Sequence, residues 1–173
     1  MSLRRLGQES LDLFQLHRVD TSVPASEQFG LLRELLDEGK ARAVGLSNVS
    51  VEQIKAARDI VPVSTVQNLY NATNRQSEDV LRYCEQEGIG FIPWFPVASG
   101  NLATSGGPLD TLANQNGVTV AQLSLAWLLR RSPVMMPIPG TSKISHLEEN
   151  LGAGNVVLDD ETFKAIDALA GES

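Results

Sequence analysis

The sequence is poor in the residues that most often carry chemistry. There is one cysteine, Cys84, in 173 residues. A single cysteine closes no internal disulfide, and no Cys-x-x-Cys spacing exists to hold zinc. Cys84 therefore reads as a small buried apolar residue on a helix. Cationic residues are outnumbered, with 14 Lys and Arg against 21 Asp and Glu, for a net charge of -7. That balance excludes broad contact with nucleic acid or an anionic membrane, both of which need a cationic face. No apolar run reaches the roughly 18 residues of a membrane span. The opening "MSLRRLGQES" lacks the apolar stretch of a signal peptide, so a cytoplasmic protein is expected.

What is present is ordinary globular composition, 42% hydrophobic and 20% charged. The length suits one domain, taken as residues 1–173. Five short apolar runs stand out: 11–17, 41–47, 62–68, 89–95 and 134–140. They are near-continuous rather than alternating, as in strands covered on both faces. Met135 and Met136, in the last run, read as core packing. Helical patterns lie between the runs, at Ser26–Glu38, from Ser50 onward, at Ser77–Glu87, Thr119–Arg131 and Glu161–Leu169, with a further fragment at Leu3–Glu9. Gly39 is placed to stop the first, and Ser50 with Gln53 forms a capping-box pair. A last candidate helix runs near Ile144–Leu151.

Strands alternating with helices require a parallel sheet. An open doubly wound sheet usually carries a glycine-rich turn after its first strand. Here "RVDTSVP" follows, with no GxGxxG. The expected strands instead end in His17, Ser47-Asn48, Gln67-Asn68, Trp94 and Gly140-Thr141. Polar groups at many strand ends suit the mouth of a (β/α)8 TIM barrel. Such a barrel needs eight strands and roughly 250 residues. The expectation is thus an α/β fold of parallel TIM-barrel type, incomplete, with about five strands each followed by a helix. Open sheet edges invite pairing with another chain.

The same segments, in order, resemble the C-terminal part of the aldo-keto reductase family. "SLRRLGQESLDLFQLHRVD" is similar to the segment leading into the family's fourth barrel strand, and "GKARAVGLSNVS" to the fifth. "VQNLYN" resembles the sixth, "FIPWFP" the seventh, and "PIPGTSKISHLEENL" the cofactor-binding segment after the eighth. The family reduces aldehydes and ketones with NADPH, or runs the reverse. By this resemblance His17 orients the substrate carbonyl beside a catalytic tyrosine. Ser47, Asn48 and Gln67 hydrogen-bond the nicotinamide carboxamide, and Trp94 stacks on its ring. Thr141 contacts the 2′-phosphate region, and Glu149 and Asn150 lie near the adenine. Gly140 and His146 depart from the family pattern, which often has lysine and arginine there; Lys143 can supply the charge. NADP(H) is therefore preferred over NAD(H), and no metal is expected.

The family's catalytic tyrosine, its lysine and its aspartate come from earlier strands, and no residue here matches them. Tyr70 and Tyr83, the two tyrosines, stand elsewhere in the pattern. The chain alone is expected to have little or no activity. Plainer readings stand beside these: His17 as a strand-end hydrogen-bonding residue, Asn48 and Gln67 as turn residues, Trp94 as barrel filling, and Glu149 and Asn150 on a solvated helix face. The expected partners are a small carbonyl substrate in a complete barrel, and a second copy or a missing half. A rival function is a non-catalytic cofactor-binding or assembly module that self-associates through sheet edges. An unrelated open-sheet binding protein is the third alternative. The glycine-rich segment 98–111 reads as a mobile loop.

Overall fold

The computed structural model describes residues 2–97 and 105–171. Four strands, β1 (Leu11–Leu16), β2 (Ala41–Ser47), β3 (Thr65–Leu69) and β4 (Gly90–Trp94), form one sheet in the order β1-β2-β3-β4. The strands are parallel, and β1 pairs with β2 through Leu11↔Ala41 to Leu16↔Leu46. Ser47 stands opposite Gln67 at the end of the β2–β3 pairing. Helices α2 (Ala25–Asp37), α3 (Val51–Arg58) and α4 (Glu78–Glu87) make the crossovers. After β4 come α5 (Pro108–Gln115), α6 (Val120–Arg131), α7 (Ile144–Gly152) and α8 (Asp160–Ala168). This is the expected parallel α/β architecture, with one strand fewer.

The missing strand is the run 134–140, where only Met135 makes a bridge among the described residues. Pro137 and Pro139 remove alternate backbone donors, so the run cannot support a regular ladder. Met135 is buried as expected, but Met136 is exposed. The expected loop at 98–111 is also corrected in part. Residues 98–104 lie outside the described residues, but 108–111 open α5. Pro108 occupies its first turn, where a missing N–H costs nothing, and Leu109 and Ala113 bury its inner face.

Local signals account for the other boundaries. Ser50 and Gln53 make the reciprocal cap of α3, and Thr119 and Gln122 make that of α6. Gly39 stops α2 at φ 67°, a conformation that carries a steric penalty for residues with a Cβ. The N-terminal helix, α1 (Ser2–Leu6), is shorter than expected because Gly7 takes φ 64°.

The chain divides into two compact units. Described residues within Met1–Asn68 and Asp79–Phe91 form the first; those within Leu69–Glu78 and Ile92–Ser173 form the second. The first is built on the sheet, with Val44, Leu46, Ile54, Val66 and Leu81 fully buried. Cys84 is buried there on α4, and burial pushes its thiol pKa up to about 12. It is an inert apolar residue, as the composition suggested. The core of the second unit centres on Trp127 of α6, which stacks on Tyr70 at 6.0 Å and on Phe163 at 6.3 Å. No helix among the described residues is long and apolar enough to cross a membrane.

Candidate functional site

In the first unit the ends of β1, β2 and β3 meet around Asn48. Its side-chain amide donates to the His17 carbonyl at 3.1 Å and to the Ser47 hydroxyl at 3.0 Å. Its backbone N–H donates to the Gln67 carbonyl at 3.0 Å. The candidates His17, Ser47, Asn48 and Gln67 are therefore bound together through one residue. Asn48 does this from φ 56°, a left-handed conformation that Asn tolerates better than most residues. Ser47 is buried, Gln67 half-buried, and His17 and Asn48 exposed, so the cluster grades from the sheet interior to solvent.

A residue absent from the candidate set supports the cluster. Asn68 is buried, and its side chain donates to the Val49 carbonyl at 2.8 Å and accepts from the Val49 N–H at 3.1 Å. Val49 follows Asn48 directly, so this clamp fixes the direction in which the chain leaves β2. The signal in the sequence was an amide inside an apolar strand, a residue that must find partners when buried. Further in, Gln15 donates to the Thr65 hydroxyl at 3.1 Å across the intervening Gly45. A Cβ on Gly45 would lie 2.2 Å from that hydroxyl, which is why β2 carries glycine there.

The second unit holds the other candidates. Trp94 ends β4 and is half-buried. Phe95 follows at φ 58° with half its surface exposed, a strained conformation for a bulky residue. Its carbonyl accepts from the Asn71 side chain at 3.0 Å. The Asn71 carboxamide oxygen also accepts from the Thr73 N–H, the Thr73 hydroxyl and the Asn74 N–H, at 2.9–3.0 Å. Buried Asn71, also outside the candidate set, thus ties the turn after β3 to the end of β4.

Gly140, Thr141, Lys143 and His146 lie exposed at and before the start of α7, while Glu149 and Asn150 are half-buried on it. The Thr141 hydroxyl accepts from the Lys143 N–H at 3.1 Å, a side-chain turn that leads into the helix. No side chain caps α7 at Lys143, and no acidic residue lies in its first turn. The first amides point outward with the positive end of the helix dipole, a setting that favours an anion. Glu149 is engaged by the Thr119 hydroxyl.

The Tyr70 hydroxyl is not free to act as an acid. Tyr70 is fully buried and its hydroxyl donates to Glu78 at 2.6 Å. Burial, then the Glu78 carboxylate, drives its pKa well above the ordinary phenol value. Glu78 is itself paired with Arg131. The Tyr83 hydroxyl accepts from Arg58 at 2.8 Å. Among the described residues no group of three or more His, Cys, Asp or Glu is placed to hold a metal.

Known proteins share this sequence and fold. An uncharacterized oxidoreductase of Schizosaccharomyces pombe is 52% identical over 96% of this chain and 55% of its own length. Pyridoxine 4-dehydrogenase of Escherichia coli is 34% identical over 99% of this chain and 62% of its own. An aldo/keto reductase from Klebsiella pneumoniae, solved with NADP and acetate, superimposes with a TM-score of 0.88 at 31% identity, covering 98% of this chain and 62% of that one. The chain thus spans little more than half the length of the relatives it matches. Residues 1–170 match the model of the aldo/keto reductase family, and the chain belongs to that family.

Proposed function

We propose that these residues are the C-terminal, cofactor-holding part of an NADP(H)-dependent carbonyl reductase, corresponding to strands four to eight of its barrel. The observation that carries this is the Asn48 hub, which gathers His17, Ser47 and Gln67 at one sheet end. A carboxamide is recognised by amides and hydroxyls fixed in advance, and here the sheet register fixes them. Ser47, Asn48 and Gln67 supply the amides and hydroxyl that a nicotinamide carboxamide needs, and Trp94 is an aromatic of the kind that stacks on a nicotinamide ring. Thr141, Lys143 and the first amides of α7 receive the 2′-phosphate, whose charge is the reason to prefer NADP(H) over NAD(H). Gly140 gives the backbone close access there, while His146, Glu149 and Asn150 line the adenine side. When bound, the nicotinamide supplies the hydride. His17 orients the carbonyl oxygen of a small aldehyde or ketone toward its proton donor.

In this reading the proton donor is a tyrosine of the earlier barrel strands, since the buried Tyr70 hydroxyl donates to Glu78 and Tyr83 lies on the crossover helix α4. General acid catalysis contributes on the order of 10² to 10⁴-fold, so the 173-residue polypeptide alone is expected to bind nucleotide without useful turnover. The test is NADP(H) binding by nucleotide fluorescence or calorimetry, beside an NADPH-dependent 4-nitrobenzaldehyde assay. Micromolar binding with no turnover supports the reading. Turnover at the level of a complete reductase sinks the missing-donor argument, and no binding sinks the cofactor role.

A second reading takes the chain as a non-catalytic module that associates with a second copy or a complementary half. It is favoured by β1, the outer strand of the described sheet, in which no residue is buried and Leu13 is exposed. Such an edge pairs readily with another chain. A monomeric mass by light scattering at micromolar concentration would count against it.

A further inference from the structure

α7 is the least embedded of the long helices in the second unit. None of its residues is buried, and Ile144, Leu147 and Leu151 are all at least half exposed. Apolar burial along it is therefore sparse. Its polar contacts run to the start of α6, where Thr119 and Gln122 form the capping box.

Both members of that box touch α7. The Thr119 hydroxyl accepts from the Gln122 N–H at 3.2 Å and donates its proton to the Glu149 carboxylate. The Gln122 carboxamide accepts from the Thr119 N–H at 3.2 Å. Its nitrogen lies 2.8 Å from where a Cβ on Gly152 would stand. Glu149 and Gly152 are three residues apart and share one face of the helix. We infer that the α6 capping box is the seat of α7, and that Thr119 is a positioning residue for the anion-binding segment at its start. The inference rests on the reading that residues 140–150 hold the dinucleotide.

The chemistry of the hydroxyl explains the choice of residue. A hydroxyl has one proton and two lone pairs, so it can cap a helix and donate to a carboxylate at once. An ionised carboxylate can only accept. Thr119→Asp therefore keeps a good cap for α6 but removes the donor and sets a like charge against Glu149. Thr119→Ser keeps both functions. Gly152→Ala pushes on Gln122 from the other side.

The experiment follows amide hydrogen exchange of α6 and α7, and NADP+ affinity by calorimetry, in the 173-residue chain and these variants. In Thr119→Asp, α7 amides are expected to exchange about tenfold faster while α6 keeps its protection, since a bond to a charged group is lost. NADP+ affinity should weaken about tenfold, Thr119→Ser should behave as the parent, and adding Glu149→Gln to Thr119→Asp should recover part of the exchange loss. Unchanged α7 exchange, or equal loss in both helices, overturns the seat. Faster α7 exchange with unchanged affinity overturns the positioning role. A parent chain that fails to bind NADP+ defeats the functional reading, while the exchange measurement still decides the seat.

Discussion

The two units fix their candidate residues by different means. In the first, His17, Asn48 and Gln67 are joined largely through main-chain atoms, at the ends of strands whose register is set by buried apolar neighbours. In the second, single side chains do the work: Asn71 holds the chain at Phe95, Thr119 holds Glu149, and a cluster of charged and aromatic groups surrounds Trp127. In that cluster Arg75 lies 4.6 Å over the Trp127 ring and pairs with Asp167 at 3.0 Å, while the indole N–H donates to the same carboxylate at 3.1 Å. The two arrangements differ in redundancy. A ladder shares its load over many bonds, whereas a side-chain clamp fails with one substitution.

The second unit depends most on Trp127. Trp127→Ala is expected to cost about 3–5 kcal/mol, the usual price of emptying a large aromatic site. Trp127→Phe keeps the stacking and should cost about 1 kcal/mol for the lost hydrogen bond beyond any packing change. Urea denaturation of both variants measures this. An alanine variant within 1 kcal/mol of the parent would show that this cluster is not the core of the second unit.

Next is Asn68→Ala, which strips the buried Val49 of partners for both its N–H and its carbonyl. About 2–3 kcal/mol is expected, from the cost of buried polar groups left unmade. A change below 0.5 kcal/mol, read from the same denaturation curves, would mean that the ladder alone holds this end of the sheet.

Smaller effects are expected at Asn48. Asn48→Val places a β-branched residue at φ 56° and should cost about 1–2 kcal/mol. Asn48→Gly fits that conformation and loses the same side-chain bonds that valine loses, so about 1 kcal/mol less is expected than for valine. Equal losses would show that the hydrogen bonds, not the backbone conformation, fix the residue.

The smallest effect is a slope with pH. The folded Cys84 thiol is held up to about 12 by burial, against an ordinary value of 9.0. The folded state thus keeps a proton that the unfolded chain gives up. This contribution is fully present below pH 9 and is lost as pH rises toward 12. Tyr70, also raised, adds a loss of the same sign at higher pH. Denaturation midpoints should therefore fall from pH 8 to 10.5, and Cys84→Ala should flatten the fall. A midpoint that rises over this range, or a slope unchanged in the variant, contradicts the assignment.

Much of the architecture was legible in the residues. The continuous apolar runs marked β1 to β4, and Ser50, Thr119 and Gly39 marked helix ends, because caps and periodicity act within a few residues. At 134–140 apolar composition alone misleads, because two prolines that cannot donate interrupt the run. The start of α5 is hidden behind the preceding glycines, although Leu109, Leu112 and Ala113 carry helical spacing. In the candidate site the strand ends were legible, Asn68 among them, but the clamping roles of Asn68, Asn71 and Thr119 were not. Each looked like an ordinary polar residue of a strand, a turn or a cap.

The order of strands and helices, the ends of most of them, and the polar character of the strand ends follow from the residues themselves. These are consequences of local steric preference and of apolar spacing along the chain. Which polar groups clamp the candidate residues in place depends on contacts far apart in the chain. Asn68 meets Val49 across 19 residues, Asn71 meets Phe95 across 24, and Thr119 meets Glu149 across 30. A buried or half-buried polar group must find its partner wherever packing supplies one, and that partner is fixed only when the chain has folded.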